Sequence, residues 1–392
     1  MTIKHIKHRF LFICIALLGI SLTACNDSDD DDQSNTVTYD VVLSAAQNIP
    51  SNSSTATAQA SFTLDKDTGA LTGSVVVNDL SDATMSHIHT GFAGSNGSAV
   101  VTLEANNDNT IFSVPDNTML NSNQMDALLE GMYYVNVHSP TNPSGEIRGQ
   151  ILPPTIKTYW INLSGEQEVP AITTNASAIA AITLNTTSGA LYGTVTVSDL
   201  SDTSNAHIHT GFAGSNGSVV VALEPNDNSS VFSVSTDTTL DNSQMDALMK
   251  GMYYINVHST TNPSGEIRGQ ILPGSINVYW FNLSGDQEVP AVTTTASGNG
   301  AITVNNLTGD LYGSIMTTGV EDASMAHIHT GVSGVNGGPV ITLVQDSTDL
   351  NLWKIPDDAN ISTALSTFLS GGHYVNVHTP AYSGGEIRGQ IE

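Results

Sequence analysis

Gly131–Pro153 reads GMYYVNVHSPTNPSGEIRGQILP, and Gly251–Pro273 repeats it at 21 of 23 positions. Upstream, Asp79–Gly97 (DLSDATMSHIHTGFAGSNG) matches Asp199–Gly217 at 15 of 19. A third, more diverged copy keeps His327-Ile328-His329 and Gly385-Glu386-Ile387-Arg388-Gly389-Gln390. The period is 120 residues. That is too long for a solenoid repeat of roughly 20–50 residues and long enough for each copy to bury its own core. Proline-rich joints near Pro153-Pro154 and Pro273-Gly274 divide the repeat region into units 36–153, 154–273 and 274–392.

Within a unit most signals are those of strands. Ser61–Leu64, Ala70–Val77, Ser98–Leu103, Met132–Val137 and Glu146–Ile151 are rich in Val, Ile, Thr and Tyr and are bounded by Gly, Asn, Asp and Pro. Many alternate apolar and polar residues, as suits an antiparallel sheet with one wet face. Asn121–Glu130 predicts the one helix: capping residues lead it, Met125, Leu128 and Leu129 form an apolar stripe, and Gly131 stops it. The expected fold is all-β, with three tandem antiparallel β-sandwich or Greek-key barrel domains of roughly seven to eight strands, each with one short helix.

Composition narrows the function. The 392 residues hold 37 acidic and 10 basic side chains, for a net charge of −27. Nucleic acid and anionic headgroups both need a basic footprint, so neither is an expected partner. Two cysteines exclude a disulfide-rich scaffold and a Cys-ligated zinc domain. Lys4, Lys7 and Arg9 precede an apolar run, Phe10–Ile20, too short to span a bilayer. Leu22-Thr23-Ala24-Cys25 follows and resembles a bacterial lipobox. Residues 1–24 are then a lipoprotein signal peptide and Cys25 the lipidated residue, which anchors the chain to a membrane. Asn26, where an inner-membrane retention signal usually has Asp, favours an outer-membrane lipoprotein. Residues 25–35 form an acidic tether, and cleavage leaves a charge of 7 − 37 = −30.

Nine of the twelve histidines are three copies of one set: His87, His89, His138; His207, His209, His258; His327, His329, His378. Members two apart on a strand share a face. Such a set suits copper or zinc, which imidazole binds well, and a His₃ site leaves a position open. The same rings could instead form a structural polar cluster, bonding to carbonyls of the Gly91–Gly97 turn. The tenth histidine of the mature chain, His373, stands where the second copy has Tyr253. The three arginines downstream of the signal peptide, Arg148, Arg268 and Arg388, each follow a glutamate by two: Glu146, Glu266 and Glu386. The spacing predicts three structural ion pairs on one strand face.

The H-I-H-T-G-x-x-G-x-N-G block, the Y-V-N-V-H strand and the G-E-I-R-G-Q ending resemble the CHRD domain, found in chordin and in bacterial secreted proteins. Leu163–Pro170 (LSGEQEVP) and Leu283–Pro290 (LSGDQEVP) are similar to its opening motif, whereas Leu43–Pro50 (LSAAQNIP) has Asn48 in place of Glu168 and Glu288. The resemblance covers nearly all of residues 36–392 and implies an extracellular β-domain without a settled molecular function. Leu71–Gly91 also resembles the strand and H-x-H segment of copper/zinc superoxide dismutases. That resemblance makes the two histidines copper ligands, with His138 a third, but the zinc-site set and the cysteines are absent. The barrels are therefore expected to be superoxide-dismutase-like or immunoglobulin-like.

No thiol nucleophile and no G-x-S-x-G elbow are present, so no catalytic site is evident. Two function classes remain. One is a lipid-anchored, surface-exposed binding or adhesion protein whose partner is a protein or glycan, with avidity from repetition. The other is an envelope metal-binding protein with one copper or zinc per His₃ cluster.

Overall fold

A computed structural model describes residues 35–320 and 322–392. The expected signal peptide, Cys25 and all but residue 35 of the expected tether lie outside the described residues. The first repeat runs β1 (Thr36–Ser44), β2 (Thr57–Asp65), β3 (Leu71–Asn78), β4 (Met85–Thr90), β5 (Ala99–Thr102), β6 (Glu104–Ala105), β7 (Ile111–Ser113), α1 (Ser122–Leu129), β8 (Tyr133–His138) and β9 (Ile147–Ile151). The second runs β10 (Ile156–Ser164), β11 (Ser177–Asn185), β12 (Leu191–Ser198), β13 (Thr203–Thr210), β14 (Val219–Pro225), β15 (Val231–Val234), α2 (Asn242–Met249), β16 (Tyr253–Ser259) and β17 (Ile267–Ile271).

All pairings are antiparallel, and the second repeat closes as β10-β11-β12-β15-β14-β13-β16-β17. Two connections pass over other strands, β12 to β13 and β15 to β16, which makes this an eight-stranded Greek-key barrel. The closed form is the barrel alternative, rather than the two open sheets of an immunoglobulin sandwich. The first and third repeats are nine-stranded sheets in the same order. In the first, the two ends of the sheet are β5 and β6, which are halves of one strand interrupted at Leu103.

Period-two patterning explains the strands. In β1, Tyr39, Val41 and Leu43 are buried while Thr38, Asp40 and Val42 are exposed. They pack with Phe62, Val75, Phe112, Val135 and Ile147 inside the barrel. α1 starts where expected: the Asn121 side chain accepts from the Gln124 backbone and the Gln124 side chain accepts from the Asn121 backbone, closing a capping box. In the third repeat the helix is shorter, a 3₁₀ turn at Ser362–Ala364 leading into Leu365–Leu369. Among the described residues no helix is long and apolar enough to cross a membrane.

The expected wet face fails for β8 and β9, where every residue is buried. Their inner face meets the core, and their outer face carries a polar layer roofed by loops.

The barrels touch in series. Phe92 of the first stacks on Tyr192 of the second, centroids 3.9 Å apart, and Phe212 of the second on Tyr312 of the third at 4.4 Å. Thr194 Oγ1 donates to Gly94 O (3.0 Å) and Ser314 Oγ to Gly214 O (3.1 Å). At Gly94, φ is +84° and a Cβ would sit 2.4 Å from Thr194 Oγ1 and 2.8 Å from the Ala181 methyl, so this close approach needs glycine.

Candidate metal centre

Register builds the site. β4 pairs with β8 so that His87 faces Asn136 and His89 faces Tyr134, and β8 pairs with β9 so that Asn136 faces Arg148 and Tyr134 faces Gln150. Alternation then puts His87, His89, Tyr134, Asn136, His138, Arg148 and Gln150 on the outer face, and sends Ile88, Val135, Val137 and Ile147 into the core.

Each histidine set converges. In His87/His89/His138, His207/His209/His258 and His327/His329/His378, one ring nitrogen per residue lies within 4.8 Å of the other two. The rings are oriented by backbone carbonyls. His89 Nδ1 lies 3.0 Å from Gly97 O and His138 Nδ1 3.0 Å from Pro143 O. A carbonyl only accepts, so both Nδ1 atoms carry the proton and both Nε2 atoms present a lone pair. Gly217 and Pro263 do the same for His209 and His258, and Gly337 and Ser383 for His329 and His378. His87 Nδ1 then lies 3.1 Å from His138 Nε2, and His207 Nδ1 3.1 Å from His258 Nε2.

In the third barrel that last contact is absent. Among the described residues, His327 Nδ1, His329 Nε2 and His378 Nε2 are all buried with no partner, and His89 Nε2 and His209 Nε2 are likewise unpartnered in the other two. Burial, reinforced by the neighbouring rings, lowers the pKa of His87; burial lowers that of His138 against its bond to Pro143; and burial brings His258 down to about 4. His87, His138 and His258 are therefore neutral at neutral pH, the form that ligates metal.

The expected ion pairs do not form. Glu146 accepts from Ser139 Oγ (2.6 Å) and Asn142 Nδ2 (2.5 Å). Glu266 takes Ser259 and Asn262, and Glu386 takes Thr379 and Thr294. Glu146 precedes β9, next to Gly145 at φ +139°, and its carboxylate turns to the 139–142 loop rather than along the strand. Arg148 instead lies 3.5 Å over the Tyr134 ring and donates to Phe92 O, Asn96 Oδ1 and Gln150 Oε1. Arg268 and Arg388 do the same over Tyr254 and Tyr374. Gln150 Nε2 holds Gly91 O and Gly131 O. The arginine is thus a strut for the loop at residues 91–97, whose Gly97 carbonyl orients His89. Tyr134 also stacks with His89, centroids 5.1 Å apart.

Sequence reasoning missed Tyr134, Gln150 and Asn96 as parts of the site, although all sit inside the repeated blocks. It noted Glu168 and Glu288 but not their surroundings. Both are buried, with Oε1 unpartnered, and burial lifts each to about 7 against the pull of Arg268 or Arg388. In the first barrel Asn48 fills the place and donates to Glu146 O (2.8 Å) and Gly145 O (3.3 Å).

Fold and site define a tandem-barrel protein in which every unit carries one histidine triad on a roofed sheet face. The chain belongs to the CHRD domain family: that domain matches residues 39–151, 159–271 and 279–391. Comparison with curated proteins gives no match.

Proposed function

We propose that the protein binds transition metal at the cell envelope, one copper or zinc ion per barrel, held from an outer-membrane lipid anchor at Cys25. The observation that carries the metal reading is the trio of buried, unpartnered nitrogens on His327, His329 and His378. A structural cluster would use those lone pairs, because an unsatisfied buried polar atom costs about 1–3 kcal/mol. Carbonyls that fix Nδ1–H and aim Nε2 inward are the outer-shell arrangement of metal-bound histidine. Ring nitrogens within 4.8 Å of one another are close enough for one ion to gather, and the partly exposed His87, His207 and His327 are rings with room to adjust. The donor set is all imidazole, which suits Cu²⁺ and Zn²⁺ and disfavours hard cations. The anchor rests on the lipobox-like Leu22–Cys25 and Asn26.

Titration calorimetry of the purified chain with Cu²⁺ or Zn²⁺ tests this. Uptake should approach about three ions per chain, fall to about two in His89→Ala, and weaken as pH drops through the histidine range. Absence of stoichiometric uptake, with all three barrels folded by circular dichroism, would sink the metal reading. The display role expected from the tandem array rests on a different feature, the clefts between the barrels.

A further inference from the structure

We infer that the clefts between successive barrels bind an uncharged oligosaccharide, with a sugar ring stacked on Trp160 in the first cleft and on Trp280 in the second. This deepens the display reading and is independent of the metal.

The two tryptophans occupy one register position. Trp160 pairs with Ala181 and Trp280 with Ala301, each on the first hairpin of its barrel. The first barrel, which receives no preceding barrel among the described residues, has Asp40 paired with Ser61 there. The aromatic ring is thus present only where an adjacent barrel makes a cleft. Neither ring is used up in packing: Trp160 is 37 % exposed and Trp280 40 %, against 3 % for Trp353 in the third core. A large apolar ring left open on a walled surface marks a binding site more than a random exposed side chain does.

The walls select the ligand. The first cleft, about 260 Å³, is lined by Trp160 and Ile179, by Ser177, Thr196 and Ser198 of the same barrel, and by the Asn48–Ser51 segment of the first. The second, about 460 Å³, surrounds Trp280 with Asn282, Asn299, Gln167 and Glu166. Hydroxyl and amide groups both donate and accept, which matches a ligand rich in hydroxyls. The C–H face of a sugar ring supplies the apolar surface an indole face needs. Among the described residues neither cleft is lined by Lys or Arg, and the chain carries −27, so an anionic polysaccharide is repelled. The Phe92–Tyr192 and Phe212–Tyr312 stacks hold the walls in place before the ligand arrives, which reduces the ordering cost of binding.

The test is titration calorimetry of the purified full chain with four neutral hexasaccharides (malto-, cello-, manno- and N-acetylchito-), with hexagalacturonate as the charged probe. At least one neutral probe should bind saturably at millimolar concentration or below, with hexagalacturonate silent. In the double variant Trp160→Ala/Trp280→Ala, affinity should fall roughly two- to tenfold, the loss of one good stacking contact. Should that variant melt early, Trp160→Phe/Trp280→Phe keeps an aromatic of smaller area and should weaken binding to a lesser degree. No saturable binding by any neutral probe, equal binding by folded tryptophan variants, or preference for hexagalacturonate would each overturn the assignment.

Discussion

The first and third barrels share a strand order and a histidine triad, and they differ at the joints between barrels, at one buried carboxyl position and at one buried ring. Asp40, Thr72 and Phe92 of the first correspond to Trp280, Tyr312 and Val332 of the third; Asn48 corresponds to Glu288, and Tyr133 to His373. What stays fixed is the machinery around the triad: the arginine over its tyrosine, the glutamine holding the 91–97 loop or its counterpart, and the carbonyls that orient two histidines. The fixed parts hold the triad, and the changing parts lie around them. Substitutions in the first class should act alike in all barrels, and those in the second should act in one barrel and not another.

The arginine strut is the largest test of sameness. Arg148→Ala and Arg388→Ala should each destabilise their own barrel by roughly 3–5 kcal/mol, because each removes several charge-assisted hydrogen bonds and a stacked cation. Lysine should not rescue, since it lacks the planar fork. Chemical denaturation followed per barrel checks this, and unequal losses in the two barrels would show that the strut is not a common element. Because Glu146 and Arg148 have separate partners, a double-mutant cycle on them should be close to additive.

The buried carboxyl separates the barrels next. Glu168 and Glu288 rise from 4.5 to about 7 by burial. A raised folded-state pKa contributes stability that is complete below pH 4.5 and lost as pH climbs through 7. Glu288→Gln should therefore stabilise the third barrel by roughly 2 kcal/mol at pH 8 and change little at pH 4. Asn48→Glu should import the same alkaline weakness into the first barrel. Melting curves at the two pH values decide it, and a pH-independent difference would place the effect in packing rather than ionisation.

His373 works in the opposite direction on pH. It is fully buried beside Phe368 with both ring nitrogens unpartnered, and burial lowers its pKa from 6.5. The unfolded chain takes up the proton first, so stability present above pH 6.5 is lost as pH falls toward the folded value. His373→Tyr, the residue of the other two barrels, should stabilise the third by about 1–2 kcal/mol and flatten its acid sensitivity. An unchanged acid profile by differential scanning calorimetry would mean that another group governs it.

These positions also mark what sequence could and could not convey. The barrel and its helix were legible because apolar alternation and a capping box are local patterns, carried by stretches such as Ala70–Val77 and Asn121–Gln124. The shared face of His87 and His89 was legible because residues two apart on a strand point the same way, and His138 joined them through the 51-residue gap repeated in all three copies. The Glu146–Arg148 pairing was misread by the same rule. Spacing gives a shared face but not the competing partners: Tyr134, Phe92 O and Asn96 reach Arg148 from up to 56 residues away, and nothing in a two-residue interval encodes them. The contacts between barrels were invisible for that reason too, although Gly94 and Gly214 stood in the repeated block.

The smallest expected effect concerns those contacts. Phe212 stacks on Tyr312 with the rings 3° from parallel, whereas its counterpart Val332 is 54 % exposed and Gly334 beside it faces open space. An offset-stacked pair contributes about 0.5–1.5 kcal/mol beyond area burial. Phe212→Ala should remove that amount from the coupling between the second and third barrels, so that their unfolding transitions separate, while Val332→Ala should stay within about 0.5 kcal/mol of the parent. Hydrogen exchange resolves the two cases, because the stack restrains the loop that roofs the second triad. Faster exchange at residues 211–217 in Phe212→Ala, with residues 331–337 unaffected by Val332→Ala, is the expected pattern. Equal exchange in all three proteins would show that the roof over each triad is held by its arginine alone, and that neighbouring barrels contribute nothing to the site.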